Sequence, residues 1–343
     1  MRAIEQCRTE VLGGHVYHCQ ECNEIQYSYH SCRDRHCPKC QNDNAQQWLE
    51  KQEALLLPTP YFLLTFTLPA GLRKVARRNQ ALIYNVLFRT SAAATQLLAG
   101  DPRFVGGQIG MIGVLHTWTR DLSFHPHIHY LVPAGGLDTD TQTWLTARKN
   151  FLFPVKALSK IFRAKFRDAL RETSCFDAIP IAVWKQAWVV HCQPVGNGLH
   201  ALKYLAPYIF RVAISNNRIL KLINGEVTFR YKASDTGQYK VCTLSAEKFI
   251  RRFLQHVLPK GFVKVRYYGF FSSGLRQRLS SLHQHLVSVQ SNNPPIPNDA
   301  EPELETNQPQ PATSLPDHKI CCPVCGQAMK RGHVIRPRGR CPP

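Results

Sequence analysis

FHPHIHYLVPAGG, residues 124–136, carries two histidines two apart at the head of a run that reads as a strand from 127 to 136. Side chains at i and i+2 of a strand project from one face. His127 and His129 therefore stand together, and Ile128 turns the other way to anchor the strand in a core. Two imidazoles on one face can grip a divalent cation and leave positions open for a substrate oxygen. Spacing alone does not separate that reading from two histidines on a wet surface.

The neighbouring sequence builds a sheet around this strand. IGMIGVLHTWT (109–119) reads as another strand, and its short polar connection to the first makes the pair an antiparallel hairpin. YFLLTFTL (61–68) is a buried β-rich run ended by Pro69, and a further strand is expected near Ala187–His191. Helical composition marks residues 45–57, stopped by Pro58 and Pro60, and residues 71–99, where Leu72, Val75, Leu82, Val86 and Leu87 share faces. Basic amphipathic helices are expected over 155–173 and 246–258. Asn224-Gly225, between ILKLI and VTFRY, is a hairpin signal. The expected fold class is α+β, an antiparallel sheet flanked by helices.

Downstream, LKYLAPYIFRVAISNNRI (202–219) places Tyr204 and Tyr208 four residues apart. On a helix the two rings would share a face, about 6 Å apart along the axis. Pro207, between them, lacks an N–H to donate, so the helix is expected to begin near Ala206 or to kink there. An isolated aromatic pair at this spacing is usually packing. Here it lies among Lys203, Arg211 and Arg218, in a chain that also carries the histidine pair, and this favours chemistry. A phenol with a pKa near ~10 is a weak nucleophile at neutral pH. A cation that offsets charge on a phosphodiester makes its attack feasible. Such an attack leaves a 5′-phosphotyrosine and a free 3′-hydroxyl, and the retained bond energy allows rejoining without ATP.

Charge points to the same substrate. The 343 residues include 43 Lys and Arg against 23 Asp and Glu, a net charge of +20 that favours a polyanionic partner such as nucleic acid. Lys248, Arg251 and Arg252, then Lys260, Lys264 and Arg266 beside Tyr267, Tyr268 and Phe270, mix cations with aromatics in a way that suits a single strand. The opening MRAIEQCRTEVLGG has no apolar signal core, and no apolar run is long enough to span a bilayer. A cytoplasmic location, with action at the nucleoid, is the expectation. Clustered cysteines in such a compartment read as metal ligands.

Six of the thirteen cysteines precede residue 41 and four follow residue 320. Cys19-x2-Cys22 with Cys37-x2-Cys40 is the pattern of a structural tetrahedral zinc site. Cys7 and Cys32 are candidates for a second zinc. Cys322-x2-Cys325 is a third knuckle, with His333 and Cys341 as candidate mates. Cys175, Cys192 and Cys242 stand alone and read as small buried hydrophobes.

Taken together, CRTEVLGGHVYHC, SCRDRHCPKCQ, LLPTPYFLLTFTLP, FHPHIHYLVPAGG, YLAPYIFRVAISN and FIRRFLQHVLPKGFVKVRYYG give the chain a resemblance to a known family over most of residues 7–275. It resembles the two-tyrosine rolling-circle insertion-sequence transposases of the HUH (His-hydrophobe-His) endonuclease superfamily. The resemblance implies that His127 and His129 are metal ligands and that Tyr204 and Tyr208 are nucleophiles. It also implies Mg²⁺ or Mn²⁺, a single-stranded DNA substrate, an HUH nuclease core, and a zinc-binding module ahead of it. HUH sites have a third polar ligand, for which His116 and His125 are the candidates. The expected organisation is a zinc module over 1–44, the catalytic domain over 45–289, a disordered linker over 290–316 and a C-terminal knuckle with a basic tail over 317–343. No P-loop is present, so a host helicase is the expected unwinding partner. The competing readings are a replication initiator or relaxase of the same chemistry, and a zinc-dependent DNA-binding protein without catalysis.

Overall fold

The structure, a computed structural model, describes residues 2–34, 37, 39, 41–210, 213–233, 236–291 and 320–338. The chain divides into two units. Residues 1–47 and 305–343 form one, and residues 48–304 form the other. The first boundary falls within a few residues of the expected one. The C-terminal segment, however, is not a separate module. It belongs to the same unit as the N-terminus.

In the first unit, α1 (Arg2–Glu5) precedes β1 (Gly14–His18) and β2 (Ile25–Tyr29), which pair antiparallel. Helix α2 (Gln41–Glu53) then carries the chain into the second unit. There β3 (Tyr61–Thr67) leads to α3 (Arg73–Arg78) and α4 (Gln80–Ala99), a break at Asn79 dividing the helical stretch expected as one. The hairpin follows as β4 (Met111–Trp118) and β5 (Phe124–Pro133), and a small ribbon as β6 (Gly135–Leu137) and β7 (Trp144–Thr146). Next come α5 (Val155–Arg171), α6 (Ala182–Lys185), β8 (Val190–Pro194) and α7 (Leu199–Phe210). The strands β9 (Ile219–Ile223), β10 (Glu226–Lys232) and β11 (Tyr239–Ser245) make a second antiparallel sheet, turned at Asn224 and Gly225, both at positive φ as the sequence requires. Helix α8 (Ala246–Leu254), strand β12 (Val265–Tyr268) and α9 (Arg276–Ser291) complete the unit. Strand β13 (Lys330–Ile335) lies in the first unit and pairs antiparallel with β1.

The main sheet has the order β12-β4-β5-β3-β8, and every neighbour is antiparallel. Its alternation separates two cores. Phe62, Leu64 and Phe66 of β3, with Ile128, Tyr130 and Val132 of β5, pack beneath α4 and α5, where Phe66 meets Phe162 edge to face at 5.0 Å. Tyr61 and Leu63, with Ile112, Val114 and Leu131, face the other way and pack beneath Ala201, Leu202 and Leu205 of α7 and Leu279, Leu282 and Leu286 of α9. A strand that must bury both faces reads as a nearly continuous apolar run, as YFLLTFT does.

The basic-aromatic stretch 260–270 forms the edge strand β12 and its flanks. The Arg266 guanidinium lies 4.3 Å from the Phe88 ring centre and 5.3 Å from that of Phe262, and Lys264 Nζ is 4.7 Å from the Trp118 ring centre. Phe270 is fully buried. These contacts brace the sheet edge, and Arg218 bonds to the carbonyls of Arg120 and Arg230.

Gly113 lies opposite Tyr130 in the register, and a Cβ there would sit 2.5 Å from the Tyr130 ring and 3.2 Å from Phe88. The Tyr130 hydroxyl is tied to Ser91 Oγ at 2.8 Å, so the ring cannot withdraw. Gly113→Ala is expected to destabilise the chain by about 1–3 kcal/mol through overpacking, measured by denaturant titration. An unchanged midpoint would show that the ring gives way.

Candidate active site

On the α7 side of the main sheet the apolar layer gives way to histidines. The register sets Leu63, Leu131 and Ile112 side by side, then Thr65, His129 and Val114, then Thr67, His127 and His116. A bulge follows between His116 and Trp118, where one residue of β4 faces two of β5, His125 and Pro126. Proline cannot donate a ladder bond and is tolerated at such a position. The hairpin tip beyond it is pinned from α8 and the residues after it. Arg252 donates to the Asp121 carbonyl, and Gln255 and His256 reach the Leu122 carbonyl at 3.2 Å.

His116, His127 and His129 are brought together, with one ring nitrogen of each lying within 4.8 Å of the others. All three are buried. His127 Nδ1–H donates to the His125 carbonyl at 2.7 Å, which leaves Nε2 of the neutral ring as a lone pair. His116 Nδ1 stands 3.0 Å from that Nε2. His129 Nδ1 is 2.9 Å from Thr65 Oγ1 across the β3–β5 pair. Of the two candidate third members, the structure groups His116 with the pair. His125, at the bulge, is held instead by Arg73 of α3 at 2.8 Å from its Nδ1. Burial draws His129 down to about 4. It also holds His127 and His116 well below the ordinary imidazole value, each lowered further by its neighbouring imidazoles. The three rings are thus neutral near pH 7, with lone pairs available to a cation.

Tyr204 joins this cluster from α7, its ring centre 6.2 Å from that of His129 and edge to face with it. The helix begins at Leu199, earlier than expected, and runs through Pro207 to Phe210. Pro207 leaves the Lys203 carbonyl without a helical donor, but Ala201, Leu202 and Leu205 are already anchored in the core before that point. Tyr208 follows one turn later in the same helix, and its side chain lies outside the described residues. Thr65 is a neighbour of the cluster that sequence reading missed. Only the strand register, which no local pattern encodes, places it against His129.

The cysteines assemble differently from the expected quartet. Cys19 and Cys22 meet Cys322 and Cys325, while Cys37 falls in a separate group with Cys7 and Cys32. Two knuckles close in sequence are thus distributed over two groups, because β13 brings the C-terminal knuckle to the end of β1. Cys40 and Cys341 lie outside the described residues, and His333 lies in β13 rather than in either group. Of the isolated cysteines, Cys175 is buried, and Cys192 and Cys242 are partly so. Among the described residues no helix is long and apolar enough to cross a membrane.

A helix-borne tyrosine stands beside a histidine cluster on an antiparallel sheet, with cysteine clusters in a separate unit, and the chain's similarity to known proteins makes it a DNA-cleaving and strand-transferring enzyme of the transposase class. The chain matches the family described as "Putative transposase" over residues 110–278 and the "Transposase zinc-binding domain" over residues 1–68. It is 39% identical over 350 residues to "Putative transposase y4qJ" of Sinorhizobium fredii (strain NBRC 101917 / NGR234), covering 96% of this chain and 87% of that protein. It is 32% identical over 288 residues to "Transposase for insertion sequence element IS801" of Pseudomonas savastanoi pv. phaseolicola, covering 78% of this chain and 68% of that one. No solved structure matches it. The chain belongs to the two-tyrosine rolling-circle transposase family with an IS91-type zinc-binding domain.

The buried imidazoles make stability depend on pH. When unfolded they titrate near 6.5, and when folded they resist protonation down to about 4 for His129 and for His256. The unfolded chain therefore binds more protons as pH falls below about 6.5, and stability declines from there, with no contribution above it. The expected loss is on the order of 1 kcal/mol per pH unit for each such ring, measured by urea denaturation in chelator at pH 7.5 and 5.5. Equal stability at the two values would contradict neutral burial.

Proposed function

We propose that the chain cuts and rejoins single-stranded DNA at the ends of a mobile element through Tyr204 and Tyr208, assisted by a divalent cation held by His116, His127 and His129. The observation that carries the reading is the packing of Tyr204 against His129, which sets a phenol beside three neutral imidazoles on one sheet face. The donor set fits a cation, since one ring nitrogen of each of the three neutral imidazoles lies within 4.8 Å of the others. A bound cation would supply positive charge against the scissile phosphate as negative charge builds. Three nitrogens suit Mg²⁺, which prefers oxygen, less well than they suit Mn²⁺ or a later first-row ion.

The protein's own residues do the rest. Helix α7 holds the phenol in place through Leu202 and Leu205. Its oxygen attacks phosphorus, forming the phosphotyrosine bond as the bond to the 3′-oxygen breaks, and the departing strand takes a proton to become a 3′-hydroxyl. The reverse attack by another 3′-hydroxyl breaks the phosphotyrosine bond and restores the phenol. Two tyrosines permit two such linkages at once, as strand transfer requires. The net charge of +20 draws the strand in. A host helicase supplies the single strand. Thr65 acts as a positioning residue, fixing the His129 ring through Nδ1.

Incubation with labelled single-stranded element ends and Mn²⁺, followed by denaturation, is expected to give a DNA-linked band. That band should vanish in the double Tyr204→Phe, Tyr208→Phe variant and in His127→Ala. A folded chain that binds the DNA but gives no band would instead be a non-catalytic DNA-binding protein. Thr65→Val is expected to raise the Mn²⁺ concentration for half-maximal cleavage by about 10–100-fold while leaving the rate at saturating metal much less affected. An unchanged metal requirement would remove Thr65 from the site.

A further inference from the structure

We propose that Cys19, Cys22, Cys322 and Cys325 bind one Zn²⁺ that clamps the two ends of the chain together. This site lies partly beyond the N-terminal segment that matches a zinc-binding domain, and it does not depend on the catalytic reading above. The four sulfurs lie within 4.8 Å of one another, with Cys19–Cys325 and Cys22–Cys322 at 3.4 Å and Cys22–Cys325 at 3.6 Å. A disulfide would need about 2.05 Å. Four thiolates at about 2.3 Å from one tetrahedral Zn²⁺ stand somewhat under 4 Å apart, close to what is seen.

The two knuckles are also alike in backbone. Cys19 N–H donates to the Glu24 carbonyl at 2.9 Å, and Cys322 N–H donates to the Gln327 carbonyl at 2.8 Å, five residues on in each case. The residue after the second cysteine has positive φ in both, 58° at Asn23 and 74° at Gly326. Two segments far apart in sequence have taken one turn geometry, each presenting a cysteine pair to the other. Strands β1 and β13 set the distance between them, with His18 opposite Lys330 and Gly14 opposite Ile335. Cys19, Cys322 and Met329 are buried together, with Tyr17 and Ile320 against them. Nothing in this small cluster has the apolar area to hold a chain end unaided, and a bound ion would supply what is missing.

Elemental analysis of the full-length protein, purified without chelator, is expected to find about one fewer equivalent of zinc in the Cys322→Ser, Cys325→Ser variant than in the wild type. Because misfolding alone would also release zinc, a second measurement leaves all cysteines intact. A protease site is inserted between residues 292 and 319, the purified chain is cleaved, and the fragments are run on a sizing column. The C-terminal fragment is expected to co-elute with the remainder and to separate once a chelator strips the zinc, without denaturant. Iron in place of zinc, an unchanged zinc content in the variant, or a fragment that stays bound after the metal has gone would each overturn the proposal.

Discussion

Antiparallel register is the constraint from which the site follows. A strand cannot show one face without hiding the other, and the three central strands are locked so that one row of residues across them is apolar and the next two contain histidines. Slipping β5 by a residue would send His127 and His129 into the packed layer beneath α4 and α5 and turn Ile128 and Tyr130 to the site, while slipping β3 would bring Phe66 there. The bulge at His125 and Pro126, the glycine that admits the Tyr130 ring and the bonds that fix the hairpin tip all defend that register. Each is a local feature, and together they decide where three imidazoles sit.

Keeping those imidazoles buried has its own physical logic. A buried ring that took up a proton would strand a charge among apolar groups and beside two like neighbours. Burial and the neighbouring imidazoles keep the rings neutral, outweighing the His125 carbonyl, whose bond from His127 favours the charged form. The same arrangement that holds protons off leaves nitrogen lone pairs exposed to one another. On the proposed reading a divalent ion meets those lone pairs, one ion satisfying several at once.

Much of this was legible in the sequence. The hairpin could be read because its two strands are strongly β-forming and its link is short, and His127 with His129 followed from period-two alternation. The amphipathic helices and the Asn-Gly turn were equally local. What escaped notice depended on partners far away in the chain. Thr65 carries no signal until its strand is placed against β5. The choice between His116 and His125 turned on a one-residue bulge. The contacts of Arg266 with Phe88 and Phe262 could not be read from composition, because they join residues that only the fold brings together. The cysteines were grouped by nearness in sequence, whereas strand pairing between the two ends regrouped them, and no spacing rule contains that information.

The pairing of β13 with β1 also imposes an order on synthesis. Strand β1 must wait until β13 has been made, an interval on the order of tens of seconds at about 5–20 residues per second. Until then β1 has only β2 beside it, and its knuckle lacks the one that faces it in the finished fold. The first unit therefore closes only after the second, which lies between its two segments in the sequence, has been made.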